Sequence, residues 1–131
     1  MSIFGRRVSI RLVAGLAAAM IVGALLPVMT TAPAREITLV VRDMAFYLDG
    51  DFAHPNPVIE VAAGEHVRIV LRNEERGTEH DFAVPAVGVA SDLLHWRERD
   101  VVSFEVPDTP GAYEYVCTPH RLMMRGTLRV S

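Results

Sequence analysis

The sequence predicts an all-β domain over residues 35–131, an antiparallel β-sandwich with Greek-key connections, preceded by an N-terminal signal peptide or anchor helix. Apolar residues alternate with polar ones over several short runs, which is typical of half-buried strands. Clusters rich in Gly, Pro, Asn and Asp separate these runs. No long segment has helical periodicity, and about six to eight short strands in fewer than a hundred residues favour two packed sheets.

The predicted strands follow the alternating runs in chain order. In the first run, Ile37, Leu39 and Val41 alternate with polar or smaller neighbours, and the later runs repeat the pattern. The segment 43–57 is the least regular and is expected to form a loop or a broken edge strand. Only residues 89–96 have a pattern that would allow a short helical turn. The alternating runs are residues 36–42, 66–72, 102–106, 113–117 and 128–130.

The N-terminal segment has the composition of an export signal. Residues 2–11 contain three arginines and no acid, and an apolar run extends over residues 12–29. Ala32-Pro33-Ala34 then places small residues where a signal peptidase recognises its substrate. We therefore expect residues 1–34 to be a cleaved signal peptide or, because the apolar run is near the shortest membrane-spanning length, a retained anchor. Both outcomes place residues 35–131 in the periplasm or another extracytoplasmic compartment.

Charge and cysteine content limit the classes of function that residues 35–131 can have. All 16 acidic residues and 10 of the 13 basic residues lie here, so the net charge is −6 with neutral histidines. A net acidic domain disfavours nucleic acid as a partner. The single cysteine, Cys117, excludes an internal disulfide. An unpaired thiol in an oxidising compartment is tolerated when it is buried, paired between chains or bound to a metal.

The residues with metal-binding chemistry are concentrated in one loop between two predicted strands. Cys117 ends a strand, and His120, Met123 and Met124 follow before the next strand begins near Gly126. A thiolate, an imidazole and a thioether form a soft ligand set, which favours copper and above all Cu(I). Structural zinc sites normally use more cysteines or paired histidines, and iron–sulfur clusters use about four cysteines. The loop therefore predicts a copper site.

A further ligand must come from elsewhere, because a short loop cannot surround a metal ion. His80 is the best candidate, since it lies in a turn that leads into a strand. Its distance from Cys117 along the chain is enough for a return through the other sheet, so that two loops would converge at one end of the sandwich. Asp81 and Thr118 each follow a predicted ligand directly, and we expect a hydrogen bond between them to link the two loops.

The sequence Cys117-Thr-Pro-His120 followed by Met-Arg-Gly resembles the ligand loop of the cupredoxins, the blue copper proteins. It is most similar to the loops of the amicyanin and pseudoazurin branches, and is similar to that of plastocyanin. The preceding Gly-x-Tyr-x-Tyr-x-Cys strand and the His80-Asp-Phe segment also resemble that family, so the resemblance covers most of residues 36–131. It implies one type 1 copper ion with His80, Cys117 and His120 as equatorial ligands and Met124 as the axial ligand.

Met123 is the alternative axial ligand. The His-x-x-Met spacing of amicyanin-type loops selects Met123, whereas the Met-Arg-Gly that opens the next strand selects Met124. The longer plastocyanin-type spacing would place Arg125 at the metal, and a guanidinium does not bind copper. The loop is intermediate in length, and Met124 is the preferred assignment.

The resemblance implies a monomeric electron carrier that is not an enzyme. It would dock transiently with a redox protein donor and acceptor, and would associate with a membrane only if the N-terminal segment is retained. A periplasmic copper-binding or delivery protein is the alternative, because soft ligands serve delivery as well. A multicopper oxidase or copper nitrite reductase is disfavoured, since no two histidines form a His-x-His pair, and a binuclear copper centre would need a second cysteine.

Overall fold

The computed structural model describes residues 32–131, which form two β-sheets. The predicted signal peptide or anchor, residues 1–34, lies outside the described residues except for its last three. Within the described part, no helix is long and apolar enough to cross a membrane. Over the same range the strands are β1 (Arg35–Arg42), β2 (Ala45–Leu48), β3 (Ile59–Val61), β4 (His66–Asn73), β5 (Ala83–Val84), β6 (Val89–Ala90), β7 (Arg99–Glu105), β8 (Gly111–Val116) and β9 (Arg125–Val130). Two short 3₁₀ turns, Pro85–Val87 and Thr118–His120, connect β5 to β6 and β8 to β9.

Both sheets are mixed in strand direction. One sheet has the strand order β2-β1-β4-β7, and the other has the order β3-β9-β8-β5-β6. The pairs β1–β4 and β3–β9 are parallel, whereas the other strand pairs are antiparallel. The all-β sandwich is confirmed, with the correction that two of its strand pairs are not antiparallel. Alternating apolar residues show which face of a strand is buried but not which way the strand runs, so the pattern could not reveal this.

The core is built from the alternate residues that the sequence pattern marks as apolar. In β4, Val67, Ile69 and Leu71 are buried, while the neighbouring His66 and Arg68 are exposed. The same rule holds in β7 and β9, whose buried side chains join one contiguous apolar cluster. Each fully buried aliphatic side chain stabilises the fold by about 1.5–3 kcal/mol relative to an exposed one, so this cluster contributes strongly to stability.

Three aromatic rings pack in the core close to the ligand loops. The ring centroids of Phe46, Phe82 and Tyr115 lie 5.5 to 6.0 Å apart, and two of these residues are two positions from a predicted ligand. The Tyr115 hydroxyl donates a hydrogen bond to the Pro57 carbonyl oxygen at 2.5 Å. Gly126 makes room for this ring, because a Cβ there would lie 2.2 Å from the Tyr115 side chain. The loops that follow therefore start from a tightly packed base.

Two less regular segments have defined structures. Within residues 43–57, β2 pairs with β1 at the edge of its sheet, so the expected edge strand is confirmed. Residues 89–96 were expected to allow a helical turn, and this is corrected: the first two form β6, and the remainder contains Leu94 in a bridge with His80. His80 and Leu94 exchange two backbone hydrogen bonds of 3.1 and 2.8 Å. The backbone groups of Leu94 are therefore bonded to a different segment of the chain and are not available for a local helical hydrogen bond.

The pairing of β5 with β8 brings the two predicted ligand loops together. Ala83 in β5 is opposite Val116 in β8, and the strands are antiparallel. The residues that precede β5 therefore run alongside the residues that follow β8. This register places His80 next to Cys117 at one end of the sandwich.

Candidate metal centre

Three of the four predicted ligands form one cluster. The donor atoms of His80, Cys117 and His120 all lie within 4.8 Å of one another. The Cys117 Sγ atom is 3.7 Å from His80 Nδ1 and 3.4 Å from His120 Nδ1. Both imidazoles thus turn the same ring nitrogen toward the sulfur. The three donors surround one point from two loops, as the sequence predicted.

Cys117 lies directly after β8 and is completely buried. Burial raises the pKa of its thiol to about 11, although the backbone N–H groups of Asp81 and His120 act in the opposite direction. A thiol with such a pKa is neutral at pH 7 and becomes a thiolate only when a cation compensates the buried charge. A soft thiolate with two imidazole nitrogens fits a copper ion well. The donor set is therefore suited to the cofactor that the sequence predicts.

His80 is also completely buried, and its backbone is held by the bridge to Leu94. Its Nε2 atom lies 3.1 Å from Glu75 Oε2, within ion-pair distance, although the alignment falls short of a hydrogen bond. Burial lowers the pKa of His80, and the nearby Glu75 carboxylate opposes this only in part. A neutral imidazole is the form that binds a metal, so burial prepares His80 for that role.

Glu75 is fixed from two sides, and its role is not evident from the sequence pattern. Its carboxylate accepts a hydrogen bond from the Met44 N–H at 3.0 Å, and its own N–H donates to Asn73 Oδ1 at 2.8 Å. The buried Asn73 side chain also donates to the Leu94 carbonyl oxygen at 2.8 Å. A carboxylate five residues before the predicted ligand His80 was the signal that could have identified Glu75.

His120 closes the cluster from the solvent side. It is the last residue of the Thr118–His120 turn and is partly exposed. Its ring centroid lies 4.8 Å from that of His80, and its Nε2 atom is 3.3 Å from the Thr78 hydroxyl oxygen. The Thr78 contact holds the ring orientation while one edge stays accessible. A partner molecule could therefore approach the cluster along the His120 ring.

The two methionines differ sharply in position. Met124 is 0% exposed and belongs to the core cluster, whereas Met123 is 58% exposed. The Met124 N–H donates to the His120 carbonyl oxygen, and its own carbonyl oxygen accepts from the Cys117 N–H, both at 2.9 Å. The backbone thus fixes Met124 directly to two residues of the cluster. This favours Met124 over Met123 as the fourth ligand, and the assignment stays a prediction.

A hydrogen bond links the two ligand loops. The Asp81 carboxylate accepts from the Thr118 N–H at 2.5 Å, which confirms the contact expected between these residues. Asp81 is itself buried, so water competes little for this bond. The loops are therefore joined immediately beside His80 and Cys117.

Comparison with known proteins points to one family. The model of a family described as copper binding proteins, plastocyanin/azurin family, matches residues 45–131. A plastocyanin from Dryopteris crassirhizoma is 38% identical over 95 residues, which cover 62% of this chain and 90% of that protein.

Solved structures share the fold. Dithionite-reduced auracyanin from Roseiflexus castenholzii matches with a TM-score of 0.61 at 15% identity, covering 76% of this chain and 99% of that one. Rusticyanin from Thiobacillus ferrooxidans matches with a TM-score of 0.55 at 19% identity, covering 77% and 79%. At these identities the likeness concerns the β-sandwich alone.

Proposed function

Because the chain belongs to the plastocyanin/azurin family of copper-binding proteins, we propose that it carries single electrons between redox partners outside the cytoplasm. It binds one copper ion, as cupredoxins do. The observation that supports the electron-carrier role most strongly is the cluster of His80, Cys117 and His120, whose donor atoms lie within 4.8 Å. A single buried thiolate with two imidazoles is the ligand set of a type 1 site.

We propose that His80, Cys117 and His120 are the equatorial ligands and that Met124 is the axial one. Copper in such a site supplies a one-electron couple between Cu(II) and Cu(I). The protein contributes ligands that hardly move, because the Asp81–Thr118 hydrogen bond and the packed core hold both loops. Fixed ligands keep the reorganisation on electron transfer small, which is what a carrier requires.

The surface at the exposed end of the site fits brief encounters with protein partners. Leu122 is 94% exposed and, together with Met123, borders His120. A small apolar surface around a partly exposed ligand suits transient redox docking, where interfaces are small. We propose that a monomer receives an electron from a donor protein and passes it to an acceptor, without catalysing a further reaction.

The N-terminal segment supports the proposed location. Residues 1–34 have the composition of a signal peptide or anchor, and we propose that residues 35–131 are the copper-binding domain, of which the family match covers residues 45–131. Copper delivery is the competing role for such a domain. A delivery protein would present open ligands and release its ion, whereas here two donor residues are fully buried.

Voltammetry of the copper-loaded protein separates the two roles. We expect a reversible one-electron wave that persists through repeated cycles in the presence of a Cu(I) chelator. Loss of copper to the chelator upon reduction would contradict the carrier and support delivery.

A further inference from the structure

A groove adjoins the exposed side of His120. It has a volume of about 690 Å³, and Thr78, Leu93, Trp96 and Pro119 contribute to its lining beside His120. Leu93 is 51% exposed and Trp96 is 36% exposed, so apolar groups face solvent here. The groove shares Pro119 and His120 with the Leu122 surface but extends to Trp96, and the proposed electron-carrier function alone does not require that extension.

Two arginines stack on the Trp96 ring. The guanidinium carbon of Arg76 lies 3.8 Å from the ring centroid, and that of Arg97 lies 4.0 Å from it. Stacking on an aromatic ring holds each guanidinium in place while its N–H donors remain at the edge.

Neither Arg76 nor Arg97 forms an ion pair with a carboxylate within the part of the chain that the structure describes. Seven of the ten arginines in that part do form such pairs. The one carboxylate that lines the groove, Glu79, lies 3.1 Å from His95 Nε2. The stack therefore presents two free guanidinium groups on a domain whose net charge is −6.

We propose that the groove docks a carboxylate-rich segment of a redox partner protein. The inference rests on the proposed function, because it assigns the chemistry of a partner that approaches His120. Guanidinium groups bind carboxylates through paired hydrogen bonds, and Trp96 and Leu93 add apolar contact. The acidic remainder of the domain repels an extended polyanion such as nucleic acid or an anionic membrane. A local cluster of carboxylates on a protein avoids that repulsion.

The groove is pre-organised by the network that holds the metal cluster. The Arg97 N–H donates to the Asn73 carbonyl oxygen at 2.8 Å, and the Asn73 side chain donates to the Leu94 carbonyl oxygen. Arg97 adopts a left-handed backbone conformation with φ of 68°, which this bonding supports. A site that is already ordered loses less entropy upon binding. A docked partner would thus meet a rigid surface beside His120.

The test is an NMR titration of the isotope-labelled, Cu(I)-loaded protein with a glutamate-rich synthetic peptide. We expect saturable shifts of the Trp96 indole N–H and of the Arg76 and Arg97 amides, and weaker binding at higher salt. The double variant R76Q/R97Q should bind the peptide at least roughly tenfold more weakly than the native protein does. The matched control R68Q/R129Q removes the same charge at the far ends of β4 and β9, and should bind like the native protein.

Several results would overturn the docking proposal. One is that the NMR shifts occur at residues distant from Trp96. Another is that R76Q/R97Q and R68Q/R129Q bind the peptide equally. A third is that the protein responds to a lysine-rich peptide and not to the acidic one. Binding of phosphatidylglycerol vesicles at the groove without a response to the peptide would also overturn it. An unchanged amide spectrum outside the groove verifies that R76Q/R97Q is folded. Peptide binding can also be measured in the metal-free protein. If the peptide binds there but the copper-loaded protein has no type 1 spectrum, only the proposed function is contradicted.

Discussion

Asp81 accepts a hydrogen bond from the Thr118 N–H at 2.5 Å, and this contact joins the two loops that hold the proposed metal ligands. Each residue follows directly after a proposed ligand, so the bond fixes the distance between His80 and Cys117. Because Asp81 follows His80 and accepts from the residue after Cys117, its buried carboxylate lies close to the proposed copper position. The residue thus has a mechanical role and an electrostatic one, and substitutions can separate them.

Asp81→Ala should lower the free energy of unfolding of the metal-free protein by roughly 1.5–3 kcal/mol, the usual contribution of a hydrogen bond to a charged group. Asp81→Asn retains an accepting oxygen and should be closer to the native stability. It should nevertheless raise the reduction potential, because a nearby negative charge stabilises Cu(II) more than Cu(I). Urea unfolding and voltammetry measure the two effects. Equal potentials for the native protein and Asp81→Asn would contradict the electrostatic role.

Met124→Leu should raise the reduction potential and change the electron paramagnetic resonance spectrum, because the weak axial thioether tunes a type 1 site. Leu has a similar volume, so the core should remain folded. Met123→Leu is the matched control and should leave both properties nearly unchanged, since Met123 faces solvent. The reverse outcome would assign the axial position to Met123.

Glu75→Gln should weaken copper binding by about ten- to a hundredfold, the usual effect of losing a group that orients a metal-binding histidine. Glu75 lies 3.1 Å from His80 Nε2, and a small rotation would complete a hydrogen bond. Glu74→Gln is the matched control, because Glu74 pairs with Arg42 and Arg72 instead. Competition with a chelator measures the affinity. Equal affinities for the two variants would show that Glu75 does not act through His80.

Copper binding should release about one proton near pH 7 from Cys117, because burial raises the pKa of this thiol to about 11. Burial also lowers the pKa of His80, which is then already neutral and releases none. A weakly buffered indicator solution detects the proton. Release from Cys117→Ser equal to that from the native protein would contradict this origin.

The raised thiol pKa has a further consequence for the metal-free protein. The usual pKa of 9.0 applies to Cys117 in the unfolded chain, and the folded value is about 11. The stability that comes from keeping the thiol neutral is complete below pH 9.0 and is lost as the pH rises toward 11. Cys117→Ser should lack this part of the alkaline destabilisation in urea unfolding measured across that range.

Much of the fold could be predicted because side chains alternate across a strand. The buried Val67, Ile69 and Leu71 show this in β4. Strand direction could not be predicted, because the same alternation fits both directions, and β1–β4 is parallel. The expected helical turn at residues 89–96 was wrong because Leu94 bonds with His80, a residue distant in the sequence.

The candidate site likewise has a part that the sequence predicts and a part that it does not. Cys117 and His120 share one loop, and their donor chemistry is visible in the sequence, as was His80 by its position before a strand. The roles of Glu75 and Trp96 depend on contacts that tertiary structure creates. The bridge between His80 and Leu94 brings together the segments that carry Arg76 and Trp96.

The most direct test of the copper-carrier account is the visible absorption and electron paramagnetic resonance of the protein loaded with Cu(II), measured beside Cys117→Ser. The account predicts an intense thiolate-to-copper charge-transfer band that makes the native protein blue, with a small copper hyperfine splitting. Both features should be absent from Cys117→Ser. A colourless native protein under oxidising conditions, with Cys117 still reactive toward thiol reagents, would contradict the account.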